Sequence, residues 1–132
     1  MKKLLDTNIC IYLINKKDPE IIKKLKNNLQ HDLYISSITI AELEYGIEKS
    51  QFKERNKLAL IKFLAPFKIL NFSDLHAISY GRIRADLEKR GEIIGSMDLL
   101  IAAQAFSEKS TIVTNNTKEF SRVEKLKIEN WI

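Results

Sequence analysis

Leu33-Tyr34-Ile35-Ser36-Ser37-Ile38-Thr39-Ile40-Ala41-Glu42-Leu43-Glu44-Tyr45-Gly46-Ile47 holds two kinds of local order in fifteen residues. Leu33-Tyr34-Ile35 reads as a short strand, and Ser36 and Ser37 follow as candidate helix caps. Ile40, Leu43 and Ile47 then recur at helical spacing. A strand that feeds directly into a helix is the repeating unit of an α/β domain, and the flanking sequence repeats it. Leu4-Leu5 ends a buried strand at Asp6. A helix with Ile9, Ile11, Leu13 and Ile14 follows, capped by Thr7 or Asn8. Asp18-Pro19 is a start signal, aspartate at the cap and proline in the first turn, for a helix facing inward through Ile22, Leu25 and Leu29.

Beyond the opening stretch, a helix is expected from Lys53 to Leu64, ended by Pro66, and a strand from Phe67 to Phe72. The next helix runs from Asp74 to Arg90, with Ile78, Ile83 and Leu87 inward and Gly91 as its stop. An apolar helix spans Met97 to Phe106, Thr111 to Thr114 is a β-branched strand, and Lys127-Ile128 is a last short one. Alternating strands and helices imply an α/β fold with a mostly parallel sheet. No linker or repeat interrupts the chain, so residues 1–132 are expected to form one domain.

The composition, 45% hydrophobic and 30% charged, is that of a globular protein, and the net charge of +5 is compatible with a polyanionic partner. Cys10 is the single cysteine, which excludes an internal disulfide and fits a reducing, cytoplasmic setting. Asp6 interrupts the basic N-terminus at once, and no apolar stretch reaches membrane length, so no membrane partner is expected. No CxxC, HExxH, P-loop or GxSxG pattern is present. His31 and His76 are expected to be surface residues, and Cys10 a small core residue.

Four acids stand out by position. Asp6 sits where a strand ends and a helix begins, the edge at which ligands gather in parallel sheets; helix capping is its simpler reading. Glu42 lies early in a helix, where the macrodipole also favours an acid. Asp98 heads an unusually apolar helix in which Ser96 is available for capping. Glu119 follows the strand ending at Thr114. Converging at one sheet edge, such carboxylates would repel by about 4 kcal/mol per pair at 4 Å and an effective dielectric of 20. Protonation or a bound cation must relieve this. Oxygen-only ligands suit Mg²⁺, with Mn²⁺ as a substitute. Asn8, Asn115 and Asn116 are placed to fix water or phosphate oxygens.

Taken together, Leu5-Asp6-Thr7-Asn8, Ser36 through Gly46, Ile94-Gly95-Ser96-Met97-Asp98 with Ile101-Ala102-Ala103, and Val113-Thr114-Asn115-Asn116 with Glu119-Phe120 resemble the PIN-domain nucleases, in particular the VapC toxins. The resemblance implies a three-layer, Rossmann-like PIN fold and a metal-dependent endoribonuclease in which water attacks the phosphodiester, leaving a 3′-hydroxyl and a 5′-phosphate. Carried over by position, it makes Asp6, Glu42, Asp98 and Glu119 the catalytic acids. Asp6 and Asp98 would be direct metal ligands, Glu42 would act through water and Glu119 as an outer group. Thr7, Asn8, Thr114 and Asn116 would support them. It also implies a cognate antitoxin covering the groove, an RNA substrate, a homodimer, and operator DNA bound through the toxin–antitoxin complex. Lys53, Arg55, Lys57, Arg82, Arg84, Lys89 and Arg90 would serve RNA or an acidic antitoxin tail; a solvated basic face accounts for them equally well. Asp86 is set aside as a helix-surface partner of Arg82 and Arg90.

Two alternatives remain at the level of sequence. One is a PIN-like module that binds nucleic acid or protein without chemistry, which metal-dependent cleavage would exclude. The other is a receiver-like phosphoacceptor, which would want an early acidic pair and a late lysine.

Overall fold

A computed structural model describes residues 1–16 and 18–132. Five strands, β1 (Lys2–Leu5), β2 (Asp32–Ser36), β3 (Lys68–Leu70), β4 (Thr111–Val113) and β5 (Lys127–Glu129), form one sheet in the order β3-β2-β1-β4-β5. Every neighbouring pair is parallel, with Leu5 opposite both Ile35 and Val113. The sheet is therefore wholly parallel, where the sequence predicted a mostly parallel one.

Alternation along the central strands separates two cores. Leu4 and Ile112 face one way, into a cluster with Ile83, Leu87, Leu99, Ile101 and Phe120. Leu5, Ile35 and Val113 face the other, against Ile9, Cys10, Leu13, Ile21 and Trp131. Helices α1 (Thr7–Asn15), α2 (Pro19–Asn27), α3 (Ser37–Glu48) and α4 (Lys53–Leu64) supply the second cluster. Helices α5 (Asp74–Arg90) and α6 (Ser96–Ser107) and the short α7 (Thr117–Phe120) supply the first, although Ile38 of α3 also packs there. The result is the expected three-layer α/β sandwich. Among the described residues no helix is long and apolar enough to cross a membrane.

Several local expectations need correction. In α2 the fully buried residue is Ile21; Ile22 and Leu25 only border the core, and Leu29 lies past the helix end and is exposed. In α3 the buried residue is Thr39, with Ile40 and Leu43 at the margin. In α5 the inward stripe runs through His76, Tyr80, Ile83 and Leu87, which leaves Ile78 on the opposite, solvent face.

His76 is thus a buried residue, 2% exposed, and His31 is half-buried. The His76 Nδ1 accepts from the Ser73 backbone while Ser73 Oγ accepts from the His76 backbone, a capping box. Nε2 lies 2.8 Å from Glu108 Oε2, so both ring nitrogens are satisfied. Ser96 is the first helical residue rather than a cap; Gly95 holds the cap position of α6 and has no side chain to offer. The third strand is shorter than predicted, and α7 went unforeseen because four residues carry no periodic signal.

Candidate active site

Parallel strands deliver their carboxyl ends to one edge, and the predicted acids lie just beyond it. Asp6 follows β1 and is 2% exposed. One oxygen accepts from the backbone of Ile9 at 2.9 Å, capping α1, and the other accepts from the Thr114 hydroxyl at the end of β4. Capping and a place in the site coincide in this residue. Burial raises the Asp6 pKa; the Thr114 and Ile9 hydrogen bonds oppose that rise, and the charge of Glu42 adds to it.

Glu42 sits in the second turn of α3, which starts where β2 ends because Ser36 accepts from the Ile38 backbone. Thr7 Oγ1 donates to Glu42 Oε1 at 2.8 Å and meets the buried Thr39 hydroxyl at 3.1 Å. Asp98, in the first turn of α6, has its pKa pushed up to about 6, by burial first and then by the charges of Asp6, Glu119 and Glu42. Asn116 Nδ2 donates to Asp98 (3.3 Å) and to Glu119 (2.6 Å), and Glu119 also meets Asp98 directly, helping to raise its pKa.

Asp6, Glu42 and Asp98 line one cavity of about 840 Å³, with Thr7 and Asn8 beside them. Glu119, Thr114 and Asn116 stand behind this lining. Among the described residues no three acidic, histidine or cysteine side chains close into a coordination cluster. Thr7, Thr114 and Asn116 tie the carboxylates back individually. The donor set still fits a hard divalent cation: it is all oxygen, and neighbouring carboxylates help raise the pKa of Asp6 and of Asp98 with no basic side chain among the causes.

The lining also includes Tyr45, Lys49 and Asn56, which the sequence reading did not single out. Tyr45 was legible, since it stands one turn beyond Glu42 on the same helix. Also missed was Gln104, fully buried in α6, which accepts from Ser36 and donates to the Leu70 carbonyl at 3.2 Å. It fastens α6 to the ends of β2 and β3. A glutamine inside an alanine-rich buried helix was its signal.

Several predicted basic contacts are already used. Lys57 pairs with Glu44, Lys53 with Glu48, Arg84 with Glu88, and Arg90 with Asp86 and Glu92.

A buried aspartate after the first strand, a glutamate on the helix after the second and an aspartate heading α6 thus share one cavity of a parallel α/β domain. The PIN domain family matches residues 3–126, and the chain belongs to that family. Within it, the chain is 48% identical to a ribonuclease VapC2 of Rickettsia felis, over 97% of this chain and 96% of the relative. It is 43% identical to a tRNA(fMet)-specific endonuclease VapC of Shigella flexneri, over 99% and 98% of the two chains. A crystal structure of Rickettsia felis VapBC2 bound to a DNA fragment from the promoter superposes with a TM-score of 0.95, at 44% identity and full coverage of both chains.

Proposed function

We propose that this chain is the toxin of a toxin–antitoxin pair, an endoribonuclease that hydrolyses RNA phosphodiester bonds at the Asp6–Glu42–Asp98 cavity. The observation that carries it is the buried, uncompensated Asp6 beside an Asp98 whose pKa is raised to about 6 on the wall of an open cavity. Structural acids are usually paired or solvated, and strongly raised carboxylate pKa values gather at functional sites.

Asp6 and Asp98 would hold Mg²⁺, or Mn²⁺ in its place. When bound, the ion supplies charge neutralisation at the phosphate and makes a water more acidic. The protein's own groups do the rest. Thr114 and the first turn of α1 fix the Asp6 carboxylate. Thr7 holds one Glu42 oxygen and leaves the other to orient the attacking water. Asn116 donates to both Asp98 and Glu119 and holds the two carboxylates in place. Water adds to phosphorus, the bond to the 3′-oxygen breaks, and the 3′-hydroxyl and 5′-phosphate separate.

Partners follow from the relatives. We propose a cognate antitoxin whose segment covers the cavity, operator DNA bound by the joint complex, as the Rickettsia felis complex is bound to promoter DNA, and a homodimer. The relative from Shigella flexneri makes initiator tRNA the first substrate to test.

Antitoxin-free protein should cleave tRNA(fMet) or a mixed RNA pool with Mg²⁺ or Mn²⁺ and stop on EDTA. Cleavage that persists unchanged in EDTA and in Asp98→Asn would reject the reading.

A further inference from the structure

We propose that Tyr45 and Lys49 form a stacking subsite for an unpaired nucleotide of the RNA substrate, beside the phosphate being cut. The inference rests on the nuclease reading above and adds the form of RNA that the site accepts.

Three acids on one cavity repel a polyanion, so attraction to RNA must come from other lining groups as well as from a cation. Among the described residues lining the cavity, Tyr45 is the one aromatic and Lys49 the one lysine or arginine. Tyr45 follows Glu42 by three residues, which puts both on one side of α3. It is 66% exposed, an unusual state for a large aromatic on a concave wall. Lys49 lies four residues on, with its ammonium 5.0 Å from the Tyr45 ring centroid. Lys53 and Lys57, on the neighbouring helix, are neutralised by Glu48 and Glu44, whereas no such partner engages Lys49 among the described residues.

An exposed aromatic ring with an ammonium over one face is a combination that single-stranded nucleic acid can use: the base stacks on the other face, and the backbone meets the charge. Paired bases present no free face and duplex RNA offers mainly its backbone, so such a subsite selects a looped-out or single-stranded nucleotide. The chemistry recurs nearby. The Arg55 guanidinium lies 4.3 Å from the Phe52 ring centroid, and Asn56, on the cavity lining, donates to Ser50 just before that pair. This second pair would extend the track for the strand leaving the site.

The test compares wild type, Tyr45→Ala, Tyr45→Phe and Lys49→Met on a short mixed-sequence single-stranded RNA and on its duplex. Binding is read in EDTA and steady-state cleavage in Mg²⁺. Tyr45→Ala should weaken single-strand binding about thirtyfold, the middle of the range for one base–aromatic stack. KM should rise by the same factor with kcat unchanged, as loss of uniform binding requires. Tyr45→Phe keeps the ring face and should match wild type. Lys49→Met should lower the slope of log affinity against log salt by about one.

A correctly folded Tyr45→Ala with wild-type Kd and KM would overturn the subsite. So would a variant that keeps its RNA affinity and loses only affinity for the antitoxin, which would make Tyr45 a protein-docking residue. Failure of wild type to cleave any RNA with Mg²⁺ or Mn²⁺ would instead reject the nuclease reading and the subsite with it.

Discussion

Lys3 and Asp6 are buried charges at opposite ends of β1, and their surroundings differ in kind. Lys3 is 6% exposed. Its ammonium donates to Asn28 at 2.7 Å and to both oxygens of Glu129 at 3.0 Å. The Trp131 indole donates to the same carboxylate at 2.6 Å. Partial burial pushes the Glu129 pKa up, but the Trp131 and Lys3 contacts outweigh it and hold it low. This charge is answered in full by the fold, and it anchors the C-terminal segment to the centre of the sheet. Asp6 receives hydrogen bonds but no cation, and its pKa is raised. A buried charge paired within the chain serves architecture; one left unpaired beside a cavity needs something from outside it.

The sharpest way to break that contrast is to neutralise the unpaired end. Asp6→Asn and Asp98→Asn should each reduce metal-dependent RNA cleavage by more than about 100-fold, since even outer partners of metal ligands are worth about 10–100-fold. The fold should not suffer. At neutral pH without metal, Asp98→Asn removes a charge that the folded state disfavours, and the Tm should rise by about 2–4 °C. Calorimetry beside a cleavage assay reads both. A lowered Tm with activity intact would make Asp98 a structural acid.

Lys3→Met should do the reverse. Removing one partner of a fully buried pair costs about 3–5 kcal/mol. The Glu129 side chain is 37% exposed and can rehydrate, so about 1–3 kcal/mol is expected here. Denaturant unfolding measures it, and kcat should not change.

Much of this contrast was legible in the sequence, and the illegible part has definable causes. Asp6, Glu42 and Asp98 announced themselves because Asp6 ends a strand where a helix starts, Glu42 lies among apolar residues early in the helix after β2, and Asp98 heads an apolar helix. Strand existence followed from short apolar runs such as Leu4-Leu5 and Leu33-Tyr34-Ile35 and from the β-branched Thr111 to Thr114. The Lys3–Glu129 pair was invisible, because it joins residues 126 positions apart across β1, β4 and β5. His76 was misplaced on the surface for a related reason: Glu108, which satisfies its ring, comes from the far end of α6. Glu119 was identified without its link to Asp98, since Asn116 bridges them only once α6 and α7 are brought together. Polar contacts between distant segments leave no periodic trace.

The two ends of β1 should also respond differently to pH and metal. Asp98 has an ordinary pKa of 3.8 and a folded value of about 6. Between those values the folded protein holds a proton that the unfolded chain has released, so metal-free stability should fall as pH rises through this window. The raised Asp6 pKa acts in the same direction. Glu129 and Glu108, whose values are lowered from 4.5, contribute stability that is lost only on going below that range. Mg²⁺ at about ten times its Kd should therefore add roughly 1.4 kcal/mol near pH 7.5, and much less near pH 5, where protons compete for the same oxygens. Equal Mg²⁺ stabilisation at both pH values would place the ion elsewhere.

The smallest effect on cleavage provides the closest control. Glu129→Gln makes the same carboxylate-to-amide change as an aspartate-to-asparagine substitution at the other end of the strand. The amide oxygen can still accept from Lys3 or from the Trp131 indole, so what disappears is charge, at a side chain partly open to solvent. The Lys3 ammonium, only 7% exposed, is left without its counter-charge, so the loss of stability should be about 1–3 kcal/mol, no smaller than for Lys3→Met. RNA cleavage should be unchanged, because Glu129 lies outside the cavity lining. If Glu129→Gln instead reduced cleavage as Asp6→Asn does, the paired end of β1 would be coupled to the chemistry, and burial without a cation would no longer distinguish the working acids from the structural ones.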